Sequence, residues 1–274
     1  MIAIIQSIVF GIVEGITEWL PISSTGHMIL LDKIWPMQVR SSFYDMYLVV
    51  IQLGAILAVV VTFWHQIWPF SMNKEEHYLR KDVWSMWFKV IVACIPAVIV
   101  GLKWDDAIEA HFYNYLCVAI MLIIIGVMFI LAENHNAHTR PIVRSIDRLT
   151  YRAAFVIGMF QLVAAVFPGT SRSGATILGA LLIGVDRKTA AEFTFYLAVP
   201  VMFGASLLKL AKYGFAFQGN ELAVLIVGMV VAFIVSMLII RFLMSYIKKH
   251  DFKVFGWYRI VLGIIVLVYF KALA

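Results

Sequence analysis

Two segments of this chain place polar residues inside apolar sequence, where a membrane offers no water to solvate them. The first covers residues 11–27 and holds two carboxylates before a Pro-Ser break; the second covers 158–174 and holds an arginine after a similar break. At a constant separation of 147 residues, Gly11 pairs with Gly158, Glu14 with Gln161, Pro21 with Pro168, Ser23 with Thr170 and Ser24 with Ser171. A duplicated break of this kind is typical of a midplane site in a two-fold membrane fold.

The composition places the chain among the helical membrane proteins. Hydrophobic residues make up 63% of its 274 residues and charged residues 14%, whereas a soluble domain is about half apolar and about a quarter charged. Six apolar runs approach the roughly 20 residues that span a bilayer, which predicts full spans at about 42–67, 83–102, 112–132, 189–211, 221–245 and 254–271. The net charge of +6 does not indicate a nucleic-acid partner, because the basic residues lie in loops, where membrane topology explains them.

The segments 2–35 and 153–184 differ from these spans, because a proline and a Ser/Thr/Gly cluster cut each apolar run near its middle. Irregular backbone at membrane depth is tolerated only where protein buries it or where it lines a watery cavity. Both segments are therefore predicted to be re-entrant helix–elbow–helix hairpins. The predicted fold is an all-α polytopic membrane protein with six transmembrane helices and two such hairpins.

Basic loop residues orient these elements. They concentrate in the loops 68–82 (Lys74, Arg80 and Lys81), 133–152, 185–188 and 246–253, and six spans with two hairpins place all four loops on one side, which the positive-inside rule makes cytoplasmic. This predicts one membrane domain, 1–274, built as an inverted 3+3 repeat. Repeat 1 covers about 1–132, a cytoplasmic loop 133–152, and repeat 2 about 153–274. The same separation aligns Ser42 with Thr189, and each is predicted to cap a helix start.

Two carboxylates in the first segment need a compensating charge. Glu14 and Glu18 lie four residues apart on one helix face, and a charge at the centre of a bilayer costs at least about 2.5–3.5 kcal/mol on insertion scales. Arg172, in the other elbow, is the cation that opposed hairpins would bring close. A buried Glu–Arg pair that merely joins the hairpins would explain Arg172 and one glutamate, but neither the second glutamate nor His27.

The remaining polar residues indicate phosphate chemistry. Glycine-containing backbone at helix starts, hydroxyl groups and one arginine are the components of a phosphate cradle, to which we assign Ser23, Thr25, Gly26, Thr170, Ser171, Arg172 and Ser173. Glu14 and Glu18 would suit a hard divalent cation, Mg²⁺ or Ca²⁺, that bridges phosphate oxygens. His27 titrates near neutral pH and could act as an acid, a base or a nucleophile. Together these groups predict phosphoryl transfer or hydrolysis.

These residues form motifs that resemble those of a known family. Glu14-Gly-x-Thr-Glu-x-Leu-Pro-x-Ser-Ser-Thr-Gly-His27 and Pro168-Gly-x-Ser-Arg-Ser-Gly174 resemble the two signature motifs of the undecaprenyl-pyrophosphate phosphatases, also called bacitracin-resistance proteins. The similarity extends over essentially the whole chain.

The resemblance implies a multi-pass plasma-membrane enzyme, acting at the outer face, that removes the terminal phosphate of undecaprenyl diphosphate with a divalent cation. The product is the carrier lipid of cell-wall synthesis, and bacitracin would compete for the substrate. The resemblance also implies that Glu14 and Glu18 serve metal or proton chemistry and that Arg172 holds the diphosphate. Ser24 or His27 would be the nucleophile or the general acid/base, and the choice between them stays open.

A transporter or flippase of lipid phosphates is the rival interpretation, because inverted repeats with broken helices are also a transporter architecture. Such a protein would need the arginine and the hydroxyl groups, but not two carboxylates beside a histidine. The sequence predicts neither the prenyl chain length, nor the identity of the metal, nor the oligomeric state.

Overall fold

The fold is a bundle of helices, as predicted. The computed structural model describes residues 1–71, 78–214 and 216–273, with backbone only at Asp105, Asp106, Glu109 and 271–273; Lys74, one of the predicted orienting residues, lies outside them. The helices within these ranges are α1 Ile2–Thr17, α2 Ser24–Ile34, α3 Ser41–Val50, α4 Gln52–Thr62, α5 Trp64–Ile67, α6 Lys81–Phe112, α7 Tyr115–Asn136, α8 Tyr151–Val166, α9 Arg172–Leu182, α10 Arg187–Tyr213, α11 Glu221–Tyr246 and α12 Lys253–Leu273.

Six segments in the described ranges are long and apolar enough to cross a membrane. They are Ser41–Thr62, Lys81–Trp104, Tyr115–Asn136, Arg187–Tyr213, Glu221–Tyr246 and Lys253–Phe270. Each coincides with one predicted span, so the protein is a multi-pass helical membrane protein. The first span is interrupted at Ile51, where α3 gives way to α4. Helix α6 continues to Phe112, ten residues beyond the predicted end of its span, because neither proline nor glycine interrupts residues 102–112.

The two predicted hairpins are present as pairs of short helices, α1–α2 and α8–α9. Helices α1 and α8 have 16 residues each, and α2 and α9 have 11 each. At 1.5 Å per residue these helices are shorter than a bilayer core of about 30 Å. Their re-entry into the bilayer stays a prediction of the sequence.

The predicted pairing of the two elbows is wrong by one residue. Ser23 (φ 74°) and Ser171 (φ 68°) are the non-glycine residues of the described chain with positive φ. Each precedes a helix and accepts a hydrogen bond on its hydroxyl, from the Gly26 and Gly174 amides respectively. Ser23 therefore matches Ser171, not Thr170, and Ser24 matches Arg172. The second elbow is one residue longer, so the separation of 147 residues holds only as far as the prolines.

The predicted helix caps at Ser42 and Thr189 are also wrong. Helix α3 begins at Ser41, so Ser42 lies inside it, and the capping position is Arg40, which makes no side-chain cap. Helix α10 is capped by Asp186, whose carboxylate accepts hydrogen bonds from the amide and the hydroxyl of Thr189. A Ser/Thr-x-x-Asp/Glu pattern also occurs inside helices, and at α10 the cap is an aspartate three residues before the predicted threonine.

Each hairpin packs against the opposite half of the chain. Helix α1 lies along α11, and a Cβ on Gly11 would stand 2.7 Å from the carbonyl oxygen of Gly228. Helix α8 lies along α6 in the same way, because a Cβ on Gly158 would collide with the backbone of Ala93. Gly11 and Gly158, which the sequence analysis paired, therefore have the same role: each allows two helix backbones to approach closely.

Two ion-pair clusters mark the two ends of the bundle. At one end Arg40 binds Glu221 at 2.6 Å, which joins the starts of α3 and α11; this hydrogen bond raises the pKa of the Arg40 guanidinium. At the other end Arg187 binds the buried Glu133 at 2.6 Å, and the Phe252 amide donates to the same carboxylate. The second cluster joins the end of α7 to the starts of α10 and α12. These helix ends agree with six spans that alternate in direction.

Candidate active site

The two elbows meet at an ion pair that the sequence predicted. Arg172 Nη2, at the start of α9, donates to Glu18 Oε1 at 2.9 Å. Both side chains are largely buried, with 13% and 8% of their surfaces exposed. The other oxygen of Glu18 accepts a hydrogen bond from the Ser24 hydroxyl at 2.7 Å, and Arg172 Nη1 donates to the Thr194 carbonyl at 3.1 Å. Three predicted catalytic residues therefore form one chain, Ser24–Glu18–Arg172.

Six buried side-chain polar atoms have no hydrogen-bond partner among the described residues, and all lie in the elbows or in the helices that flank them. They are Glu14 Oε1, Trp19 Nε1, Gln161 Oε1, Thr170 Oγ1, Arg172 Nε and Arg259 Nε. An unpaired buried polar group costs about 1–3 kcal/mol, so natural proteins keep few of them. The nitrogens of Trp19, Arg172 and Arg259 are donors, the Thr170 hydroxyl can donate or accept, and the Glu14 and Gln161 oxygens are acceptors. Unpaired donors in and beside the elbows suit an anion.

The hydroxyl groups of the predicted cradle have different partners. Those of Ser23 and Ser171 cap α2 and α9 through the buried Gly26 and through Gly174. The Ser173 hydroxyl donates to the main-chain carbonyl of Glu18 at 3.0 Å and thereby ties the two elbows together. The hydroxyl of the fully buried Thr170 is unpaired, whereas Thr25 is only half-buried.

The amide groups at the starts of α2 and α9 are available to a ligand. The amides of Ser24, Thr25, Arg172 and Ser173 make no hydrogen bond with the described chain, as expected for the first turn of a helix. Two helix starts that face one polar site bring their positive dipole ends to it. Backbone amides, Arg172 and hydroxyl groups are together the donor set that binds phosphate.

Arg259 joins the two elbows, and the sequence analysis did not single it out. Its guanidinium is fully buried and donates three hydrogen bonds to main-chain carbonyls, to Pro21 at 3.0 Å, Gly169 at 2.9 Å and Thr170 at 2.8 Å. The one signal available in the sequence was an arginine inside an apolar span, since such residues are functional by default.

His27 is held by groups other than Ser24. Its Nδ1 lies 2.7 Å from the Ser23 carbonyl, and its Nε2 lies 2.7 Å from the Tyr258 hydroxyl. The imidazole and the Tyr258 ring lie side by side in nearly parallel planes, with 5.7 Å between centroids and 4° between planes. Tyr258 is the second residue of α12 that the sequence analysis did not single out. Both ring nitrogens of His27 are therefore engaged, and the group paired with Ser24 is Glu18.

Of the two carboxylates predicted to hold a divalent cation, Glu14 has an unpaired oxygen, and Glu18 bonds Ser24 and Arg172. Glu14 is 1% exposed, and one of its oxygens is a buried acceptor without a partner, one helical turn before Glu18. No group of three or more His, Cys, Asp or Glu side chains converges in the part of the chain described. Mg²⁺ is commonly held by one or two carboxylates together with substrate phosphates and water. Glu14 and Glu18 are the residues that would hold such an ion.

The site is more open on the side of α2 than on the side of α9. Nine of the eleven residues of α9 are buried, but in α2 only Gly26 and Met28 are. Ser24, Thr25 and His27 are half-buried, and Tyr258 beyond them is 45% exposed. A ligand would reach the elbows along this side.

Comparison with known proteins identifies the family of this chain. Residues 7–265 match the family model described as "Bacitracin resistance protein BacA". The chain is 60% identical to "Undecaprenyl-diphosphatase" of Desulfitobacterium hafniense, over 99% of this chain and 98% of the relative. It is 61% identical to "Undecaprenyl-diphosphatase 1" of Clostridium acetobutylicum, over 98% of both chains. It is 57% identical to "Undecaprenyl-diphosphatase" of Enterococcus faecalis, over 97% of both. The chain therefore belongs to the BacA family of bacitracin-resistance proteins.

Proposed function

We propose that this protein is an undecaprenyl-diphosphate phosphatase, which hydrolyses undecaprenyl diphosphate to undecaprenyl phosphate and inorganic phosphate. The observation that carries the proposal is the Ser24–Glu18–Arg172 chain, set between two helix starts with free amides. Its relatives bear the name of this activity. The product is the carrier lipid of cell-wall synthesis, and bacitracin would compete for the same substrate.

The roles of the polar residues follow from their contacts. Arg172 and the amides at the starts of α2 and α9 would bind the diphosphate, assisted by the hydroxyl groups of Thr170 and Thr25. Glu14 and Glu18 would hold Mg²⁺ or Ca²⁺, which when bound neutralises phosphate charge. Trp19 is fully buried, and Arg172 lies over its ring, 5.9 Å from the centroid. This aromatic face fixes the direction of the guanidinium.

Ser24 is our choice for the nucleophile. A hydroxyl group is activated by a base within hydrogen-bond reach, which a third group orients. Glu18 stands 2.7 Å from the Ser24 hydroxyl, and Arg172 orients Glu18. In the step we propose, Ser24 Oγ bonds to the terminal phosphorus, Glu18 takes the hydroxyl proton, and undecaprenyl phosphate leaves. Water then releases the phosphate from Ser24.

The membrane setting is the plasma membrane, with the elbows reached from the outer side. The distribution of basic residues supports this orientation, because Arg140, Arg144, Lys248 and Lys249 lie in loops at the Arg187 end of the bundle. The isoprenoid tail would remain in lipid while the headgroup enters on the α2 side.

The test is phosphate release from undecaprenyl diphosphate by the purified protein in detergent, with Mg²⁺ or Ca²⁺ and with a chelator. We expect turnover that the chelator abolishes. Glu18→Gln should lower kcat by about 100-fold or more, since positioned acid–base groups contribute about 10²–10⁴-fold. Glu192→Gln is the matched control, because Glu192 pairs with Lys188 and not with Arg172.

Two results would overturn this proposal. Full activity of Glu18→Gln would contradict the assignment of the Ser24–Glu18–Arg172 chain as the active site. Movement of lipid phosphate between leaflets of a vesicle, without release of phosphate in either assay, would favour the transporter interpretation over the enzyme.

A further inference from the structure

Tyr258 is the residue on α12 that contacts a predicted catalytic side chain. It lies 231 residues from His27 in sequence, yet its hydroxyl stands 2.7 Å from Nε2 and its ring lies nearly parallel beside the imidazole. The next residue, Arg259, is fully buried, whereas Tyr258 is 45% exposed. Helix α12 thus presents Arg259 to the elbows and Tyr258 to the open side of the site.

The two contacts of His27 determine where its proton resides. The Ser23 carbonyl can only accept a hydrogen bond, so Nδ1 must carry the hydrogen. In the neutral ring Nε2 then has a lone pair, and the Tyr258 hydroxyl donates to it. A phenol and a carbonyl on opposite nitrogens therefore select one tautomer and one ring orientation.

We propose that Tyr258 is a positioning residue for His27, which fixes the Nδ1–H tautomer and keeps the Nε2 lone pair, a proton acceptor, at the open edge of the site. The inference rests on the proposed function and deepens it. It identifies the gap between α2 and α12 as the entry for the headgroup of a prenyl diphosphate. The half-buried start of α2 and the exposure of Tyr258 place that gap where the tail can remain in lipid.

The test is Tyr258→Phe, which keeps the ring and removes only the hydroxyl. We expect kcat to fall about three- to ten-fold, the effect of one hydrogen bond. KM should stay the same, because the change removes no group that we assign to the diphosphate. Nitrogen-15 NMR of histidine-labelled protein in detergent, with the His27 signal assigned by its loss in His27→Gln, should change from one tautomer to a mixture.

Tyr246→Phe is the matched control. Tyr246 likewise contacts a histidine, His250, with 4.5 Å between ring centroids and 13° between planes, but this pair lies at the cytoplasmic end. The kcat of Tyr246→Phe and the His27 signal in its NMR spectrum should equal those of the unmodified protein.

Each outcome decides the proposal. A Tyr258→Phe variant with unchanged kcat would overturn it. So would a fall in kcat with an unchanged His27 tautomer, because the hydroxyl would then act only through packing. If the unmodified protein releases no phosphate, the proposed function fails, and the NMR spectrum still decides whether Tyr258 sets the tautomer.

Discussion

At the scale of single residues, the charge of Arg259 governs how the elbows are built. Its three hydrogen bonds all go to main-chain carbonyls, one in the first elbow and two in the second. Arg259 therefore ties the backbone of the first elbow to the backbone of the second.

Replacing Arg259 should damage both stability and activity. In Arg259→Met three buried carbonyls lose a charged donor, and hydrogen bonds to charged groups contribute about 1.5–3 kcal/mol each, so we expect a loss of at least about 3 kcal/mol. Thermal melting in detergent, together with phosphate release, measures it. Arg241→Met, at an exposed position of α11, should stay within about 0.5 kcal/mol of the unmodified protein. Equal melting temperatures of the two variants would contradict the role of Arg259 in joining the elbows.

At the scale of helices, close backbone approach holds the hairpins against the spans. Gly11 on α1 and Gly158 on α8 each face a main-chain carbonyl of a helix from the other half. A Cβ on Gly54 of α4 would likewise collide with the backbone of Met229 on α11. Van der Waals packing and small residues drive helix association in membranes, where burial of apolar surface contributes little.

Gly158→Ala should therefore loosen the second hairpin. The methyl group must push α8 away from Ala93, and overpacking of this kind costs about 1–3 kcal/mol. We expect a lower melting temperature and weaker activity, because α8 leads into the elbow that carries Arg172. Gly204→Ala is the control, since a Cβ at Gly204 meets no atom within 4 Å. If both variants melt alike, close approach does not hold α8.

The sequence predicted most of the helices and both breaks, because particular residues signal them. Apolar length predicted the six spans, and Pro21 and Pro168 with their polar neighbours predicted the two breaks. The one-residue shift between the elbows was missed because the prolines were aligned without a gap. The Ser-x-x-Gly pattern at Ser23 and Ser171, which caps both helices, carried the signal. Tyr258 and Arg259 were missed because their contacts lie 231 and 238 residues away, a separation that no local pattern reports.

At the scale of the whole molecule, we propose that residues 1–132 and 153–274 are two inverted repeats joined by the cytoplasmic loop 133–152. Each hairpin packs on the opposite half, and each half begins its first full span beside an ion-pair cluster, at Arg40 in one and Arg187 in the other. The two clusters stand at opposite ends of the bundle. The acids and the histidine come from one repeat and Arg172 from the other, so the site needs both.

Labelling of single cysteines tests this arrangement. In a background with Cys94 and Cys117 replaced by alanine, Asn220→Cys should react with a membrane-impermeant thiol reagent in intact cells. Thr139→Cys and Lys248→Cys should react only after lysis, because the positive-inside rule places their loops in the cytoplasm. The positions are all exposed in the structure. Labelling of all three in intact cells, or the reverse pattern, would contradict the inverted arrangement.

The long sequence separation between Arg259 and the first elbow also means that the site is completed late in synthesis. The Pro21 carbonyl emerges early, but its partner follows 238 residues later, in the last helix. Until α12 enters the membrane, the elbows lack the cation that joins them and His27 lacks Tyr258. A nascent chain, or one cut short before residue 258, would hold both signature motifs without a finished site.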